Sequence, residues 1–374
     1  TVAGIAGTYT MTKSIFQNIK FSLIIALLSI IISFVLFQYS YANTPIDVNS
    51  PKVQDFINQV SKKHKILDKE YLTKVLKTAN HNQEVIDKIK KPYEGLAWSQ
   101  YKNFFITNDR VTQGLEFWNK HDATLKRAQE KYGIPPEIIL AIIGVETNYG
   151  KNRGKFPVID SLATLSFDYE PRSKFFKSEL EHFILLAKEE NWEPNKIYGS
   201  YAGAMGYPQF ISSSFRHYAV DFTNDGHRDL LNNPQDAIGS VANYFYKHGW
   251  EKNKPVTLAT NITNTKFKAL KNIKDLKPKF QIKTLEKHGV KVSNANEEII
   301  NKLDNNKNTI VSLIELTDKK DKKDSSNPNS EYWIGFKNFY VITRYNLSHN
   351  YAMAVYQLSQ KIKQKHDEAL VVLK

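Results

Sequence analysis

The chain has no cysteine among its 374 residues. That excludes disulfide cross-links, and it excludes anchoring through a lipid-modified N-terminal cysteine. Acidic residues are also in short supply, 38 against 52 basic ones, which leaves a formal net charge of +14. A surplus of that size implies an anionic partner, and nucleic acid, anionic lipid and cell-wall polymer all satisfy it. Long apolar runs are scarce too, with one extending from Phe21 to Phe37 and broken only by serines.

That run carries the compartment. Met11, Lys13 and Lys20 precede it, and Ser40-Tyr41-Ala42 forms a small-x-small cleavage pattern before Asn43, so residues 11–42 read as a secretory signal or, if uncleaved, an N-terminal membrane anchor. Residues 1–10 lie upstream of Met11 and stand outside the fold. Export removes nucleic acid from the candidates. The remaining length can bury a real core and has room for two or three domains.

One segment lacks a polar face. Gly133 ends the preceding pattern, Pro135-Pro136 suit a first helical turn, and Ile138 to Val145 is apolar on every side, so the spacing predicts a buried helix. Glu146 closes it, with Gly150 as a stop. Burial and the negative end of the helix dipole both disfavour an ionised carboxyl there, which makes Glu146 a proton donor near neutral pH. The competing reading is a structural glutamate paired with a nearby Arg or Lys.

Around this helix the organisation changes several times. Residues 43–131 read as a helical domain, with apolar residues three and four apart in Val53–Ile57 and Tyr71–Leu76 and a more aromatic segment at Ala97–Tyr101. Residues 132–251 are richer in glycine and loop signals. Within them, Ser200 to Phe210 sets two glycines among small residues, either as a site wall that admits a ligand close to the backbone or as a packing turn. Gln209 there offers both a donor and an acceptor. Residues 252–335 hold two strand-like runs, Thr309–Ile314 and Tyr332–Phe336, and suggest a small β-containing insertion. The mixed run from Asp318 to Asp324 reads as a solvated loop. Residues 336–374 return to a helix from about Ser348, with Tyr351, Val355, Leu358 and Ile362 at helical spacing.

Asp221, Thr223 and Asp225 occupy positions one, three and five of a loop with Gly226 at six, the first half of an EF-hand-type calcium loop. Position twelve is Asn232, and the next carboxylate, Asp236, comes late. The segment is either a metal site, with Asp221, Thr223, Asp225 and Asp236 ligating by side chain and His227 by its carbonyl, or a polar turn held by Asx hydrogen bonds.

Taken in order, Ala141–Thr147, Asp160–Phe167, Gly203–Gly206, Asp236–Phe245 and Tyr340–Asn346 resemble the signatures of the lytic murein transglycosylase B family, which cleaves the glycan strands of peptidoglycan. The resemblance implies an α+β, mainly α fold: a lysozyme-like catalytic core with an added N-terminal helical domain and a small β insertion. It implies that Glu146 is the catalytic acid and that Tyr101, Ser200, Gln209, Tyr244, Tyr345, Asn346 and Tyr351 line the glycan groove or orient the acid. It also implies a metal site at the Asp221 loop, holding structural calcium or sodium, with no cofactor required for the chemistry. The family often has two adjacent arginines that meet the stem peptide, and here only Arg172 of Pro171-Arg172 carries over.

The implied reaction needs one carboxylate, first as acid and then as base to the muramic 6-hydroxyl, closing a 1,6-anhydro ring. Ordinary glycosidases need two. Asp160 and Asp168 are the nearest candidates for a second, and the family assigns neither that role. The implied partners are peptidoglycan strands and proteins of wall synthesis or turnover, and the implied location is the periplasm. A hydrolytic muramidase and a non-catalytic wall-binding scaffold are the alternatives.

Overall fold

Ile138 to Ile143 are all 2 % exposed or less, so the helix without a polar face lies at the centre of the molecule. In the computed structural model, which describes residues 44–91, 96–270, 275–293, 297–303, 307–318 and 330–372, three short helices come first. These are α1 (Pro51–Lys63), α2 (Lys69–Leu76) and α3 (Gln83–Ile89), with strands β1 (Thr44–Pro45) and β2 (Asn80–His81) paired beside them. Next come α4 (Trp98–Phe105), α5 (Asn108–Tyr132) and the central α6 (Pro136–Thr147). The apolar segment 21–37, read as a signal or anchor, lies outside the described residues. Among those described, no helix is long and apolar enough to cross a membrane.

The chain continues through β3 (Phe156–Pro157), α7 (Val158–Asp168), α8 (Ser173–Glu189), β4 (Tyr198–Gly199), α9 (Ser212–Tyr218) and α10 (Pro234–Lys247). A sheet region comes next, with β5 (Thr257–Ile262), β6 (Phe280–Gln281), α11 (Ile282–Lys287), β7 (Val290–Val292), α12 (Glu297–Leu303), β8 (Ile310–Thr317) and β9 (Ser330–Gly335). Helices α13 (Lys337–Thr343) and α14 (His349–Val372) then return to pack on the centre. The amphipathic patterns are realised: Val53, Phe56, Ile57 and Val60 are buried on α1, and Tyr351, Val355, Leu358 and Ile362 on α14. One apolar cluster runs from Ile46 through α6 to Ile362, so the N-terminal helices share their core with the centre.

The sheet is antiparallel throughout, in the order β6-β8-β9-β5-β7. Strand β8 shows why it forms a separate layer. Alternate residues of β8 face opposite ways: Val311 and Leu313 join a second, smaller apolar cluster, whereas Ile314 and Leu316 join the main core. The sheet also braces α4, because Trp98 donates its indole N–H to Glu331 Oε1 (3.2 Å) and Ser99 its backbone N–H to Asp318 Oδ1 (2.7 Å).

Helix α6 ends abruptly, and its stop redirects the chain. Asn148, Tyr149 and Gly150 have φ of 50°, 59° and 87°, three left-handed residues in succession. This turns Tyr149 back across the helix, where its hydroxyl donates to the Arg110 carbonyl at 3.0 Å. Gly144 leaves the space: a Cβ there would sit 2.6 Å from the Tyr149 oxygen. Gly144→Ala is therefore expected to cost about 1–3 kcal/mol through overpacking. Thermal denaturation checks this, and an unchanged midpoint would contradict it.

Candidate active site

Glu146 occupies the last turn of α6, partly buried, where it opens onto a cavity of about 460 Å³. Distant parts of the chain help to close that cavity, among them Tyr101, Phe104 and Phe105 from α4, Asn346 from the turn before α14, and Tyr351 from α14 itself. Tyr351 is 2 % exposed and donates its hydroxyl to Glu146 Oε1 at 2.6 Å, a contact between residues 205 positions apart. Burial pushes the Glu146 carboxyl up to about 7, while the Tyr351 hydrogen bond acts in the opposite sense by favouring the ionised form. Burial also holds the Tyr351 phenol well above its ordinary value, so it remains a donor.

Among the described residues, Glu146 is the only carboxylate lining the cavity. The two other acids considered from sequence have structural engagements. Asp160 is 3 % exposed and accepts from the Asn80 backbone N–H at 2.8 Å, and Asp168 meets His81 Nδ1 at 2.8 Å. Both tie the β2 segment to α7.

Tyr101, Asn346, Tyr351 and Glu146 are thus gathered at one cavity. Tyr345 and Tyr244 stand behind it. The Tyr345 ring lies nearly parallel to that of Tyr351 at 6.4 Å and its hydroxyl donates to the Pro208 carbonyl at 2.6 Å. Tyr244 packs against Tyr345 at 4.8 Å and donates to the Arg344 carbonyl at 2.6 Å. Ser200 and Gln209 are engaged in building their loop. The Ser200 hydroxyl accepts from the N–H groups of Ala202 (3.2 Å) and Ala204 (3.0 Å), and the Gln209 amide donates to the carbonyls of Gly206 (2.9 Å) and Arg153 (3.2 Å). That loop presents Tyr201 to the cavity. Arg172 lies elsewhere, exposed beside Phe175 and Phe176 in a wide groove between α1 and the start of α8.

Sequence reasoning missed Phe104, Phe105, Arg110 and Tyr201 as lining residues. The first two adjoin the aromatic segment Ala97–Tyr101, and Tyr201 falls within the glycine-bearing stretch. Arg110 has no local signal.

At the Asp221 loop, carboxylate oxygens of Asp221, Asp225 and Asp236 lie within 4.8 Å of one another. Asp236 sits fully buried in the first turn of α10 and accepts from the N–H groups of Phe222 (2.8 Å), Thr223 (3.1 Å) and Asp229 (2.9 Å). Thr223 Oγ1 adds a contact at 3.2 Å. Its lateness in the sequence has a cause: Asp229 Oδ1 accepts from the N–H groups of Leu231 and Asn232, forming an extra turn before the helix. Among the described residues no Lys or Arg pairs with any of the three acids, and the donors are all oxygen, so the set fits a hard cation such as calcium.

The transglycosylase SLT domain family model matches residues 49–360. A membrane-bound lytic murein transglycosylase B of Escherichia coli K12 is 41 % identical over 324 residues, covering 84 % of this chain and 83 % of that protein. The chain belongs to the lytic murein transglycosylase B family. The crystal structure of soluble lytic transglycosylase SltB1 from Pseudomonas aeruginosa superposes with a TM-score of 0.74 at 40 % identity, covering 85 % of this chain and 100 % of that one. Escherichia coli lytic transglycosylase Slt35, solved in complex with calcium, gives 0.73 at 40 % identity over 87 % of this chain and 96 % of that one. The family's lysozyme-like fold, mainly α with a smaller β part, is the fold of this chain. A structural calcium also agrees with that relative.

Proposed function

We propose that Glu146 carries the whole proton chemistry of a peptidoglycan lytic transglycosylase. The enzyme class follows from family membership: a lyase acting on peptidoglycan. The observation that supports the residue assignment is a single carboxyl, held near pH 7 on an apolar helix, in a cavity whose described lining has no second acid. Protonated Glu146 donates to the oxygen linking N-acetylmuramic acid to N-acetylglucosamine, and that bond breaks. As the carboxylate, it removes the proton from the muramic 6-hydroxyl, whose oxygen bonds to the anomeric carbon and closes the 1,6-anhydro ring. The proton count closes on Glu146, and no water is consumed.

In this reading Tyr101, Asn346 and the aromatic rings of α4 meet the sugars, since ring faces pack on the apolar side of a pyranose. Tyr351 aims the carboxyl. Tyr244 and Tyr345 hold Tyr351 in place, Ser200 and Gln209 shape the loop that carries Tyr201, and Arg172 serves stem peptides on a separate face. Asp221, Thr223, Asp225, Asp236 and the His227 carbonyl hold a structural cation, which fixes the start of α10 and takes no part in bond cleavage. The enzyme acts in the periplasm, exported through the apolar segment or held to the membrane by it, on glycan strands and beside proteins of wall synthesis or turnover. The basic surface suits a polymer bearing carboxylates.

Product mass tests the reaction. Digested sacculi are expected to release muropeptides one water lighter than the reducing forms. Reducing ends alone would mean hydrolysis and would sink the proposal.

Tyr351→Phe probes the aiming role. Loss of a hydrogen bond that favours the carboxylate raises the Glu146 carboxyl further. The alkaline limb of kcat/KM is then expected to move above its wild-type position while kcat falls about tenfold. A limb that stays in place or moves down would contradict this.

A further inference from the structure

The stop of α6 brings two further side chains to the cavity beside Glu146, those of Asn148 and Asn152. Asn148 ends the helix with φ 50° and ψ 53°, a left-handed geometry that asparagine tolerates better than most residues other than glycine. The backbone of the stop is pinned along its length. Asn148 N–H donates to the Gly144 carbonyl at 3.1 Å, Gly150 N–H to Thr147 Oγ1 at 3.0 Å, and Asn152 N–H to the Thr147 carbonyl at 2.9 Å. Neither carboxamide makes a hydrogen bond to a described residue, and neither holds a buried unpaired atom, so both are open at the cavity. Arg110 and Tyr351 differ in this respect. Arg110 Nη1 donates to the Phe104 and Phe105 carbonyls, both at 2.8 Å, and the Tyr351 hydroxyl to Glu146. A carboxamide is neutral and carries an acceptor and two donors in one plane. An amide drawn out of water needs both kinds of partner, one for its C=O and one for its N–H.

We propose that Asn148 and Asn152 form a subsite for a secondary amide of the bound strand, donating from Nδ2 to its carbonyl and accepting its N–H at Oδ1. The inference rests on the proposed function, in which a glycan strand occupies this cavity. Murein presents secondary amides in two places: the acetamido groups of its sugars, and the bond that joins the lactyl ether of muramic acid to the first residue of the stem peptide. Both are neutral, which suits an uncharged pair of side chains. A carboxylate in the same place would be repelled by Oδ1. The pinned backbone fixes where the two side chains start before substrate arrives, and this lowers the ordering cost of binding.

Asn148→Gly isolates the side chain, because glycine adopts the same left-handed backbone without strain. Calorimetry in a Glu146→Gln background then measures affinity for three tetrasaccharides: peptide-bearing murein, the same murein stripped of its peptides, and N-acetylglucosamine only. A neutral hydrogen bond is worth about fivefold in affinity, so Asn148→Gly and Asn152→Ala should each weaken peptide-bearing murein by about that factor. If the amide is that of the stem, the other two ligands keep their affinity. If it is an acetamido group, all three weaken alike. Unchanged affinity for peptide-bearing murein in either variant would overturn the shared subsite, as would an equal loss for cellotetraose, which carries hydroxyls and no amide. Should Asn148→Gly fail to fold, Asn152→Ala decides alone, since Asn152 is exposed and its backbone bond to Thr147 survives the change. Failure of the underlying reading shows separately: a parent that binds none of the three oligomers, or cleaved product in the Glu146→Gln sample, would refute the proposed function itself.

Discussion

Glu146→Gln is expected to lower turnover of sacculi by about 10³-fold or more, because in the proposed mechanism one side chain supplies both the acid and the base and each role alone is worth about 10²–10⁴. Binding to sacculi should survive, since glutamine keeps the shape and still accepts the Tyr351 hydroxyl. The same substitution should stabilise the protein at alkaline pH. The folded-state carboxyl titrates near 7 against an ordinary 4.5, so its stability contribution is complete below about 4.5 and is lost as pH rises through 7. Above pH 7 the buried ion costs about 3 kcal/mol, and glutamine carries no such cost. Melting curves of the two proteins should coincide near pH 4 and separate by about 5 °C at pH 8. A wild type as stable as the variant at pH 8, or undiminished release by the variant, would refute the role given to Glu146.

Removing Asp236 should have the second large effect. Its carboxylate accepts three backbone N–H groups in a buried position, and Asp236→Ala would leave them without that partner. At about 1–3 kcal/mol for each unsatisfied buried donor, a loss of about 4 kcal/mol is expected after partial relaxation. A gentler variant separates cation binding from folding. Asp225 is exposed and, among the described residues, its carboxylate accepts only from the His227 N–H at 2.9 Å, so Asp225→Asn should melt like wild type in chelator. Millimolar calcium should raise the wild-type midpoint, by mass action, and leave Asp225→Asn unmoved. A wild type indifferent to both calcium and sodium would exclude a structural cation at this loop.

The features legible in sequence were those whose causes are local. Pro135-Pro136, the apolar run and the Gly150 stop follow one another closely in the chain, and α6 appears between them, capped at Asn148. The β8 and β9 strands were legible for the same reason, as short runs rich in β-branched and aromatic residues. What was hidden depends on contacts between distant segments. The Tyr351 bond to Glu146 spans 205 positions and that of Trp98 to Glu331 spans 233, so neither has a pattern in a window of residues. Arg110 reaches the cavity only because the start of α5 docks on the end of α4. Ser200 and Gln209 were visible as a special loop, yet the Ser200 oxygen accepts from the N–H groups of Ala202 and Ala204 and the Gln209 amide nitrogen donates to the Gly206 and Arg153 carbonyls, engagements that composition does not carry. The late Asp236 looked like a defect in a metal loop. The turn capped by Asp229 supplies the missing geometry.

In the proposed mechanism catalysis stands on the protonation of one carboxyl, and its titration can be observed directly. Infrared difference spectra of wild type against Glu146→Gln, recorded from pH 4 to pH 9, should isolate a carboxyl band that disappears with a midpoint near 7, where the alkaline limb of kcat/KM also falls. A carboxyl already ionised by pH 5, with activity persisting to pH 8, would contradict the claim that Glu146 is the proton donor.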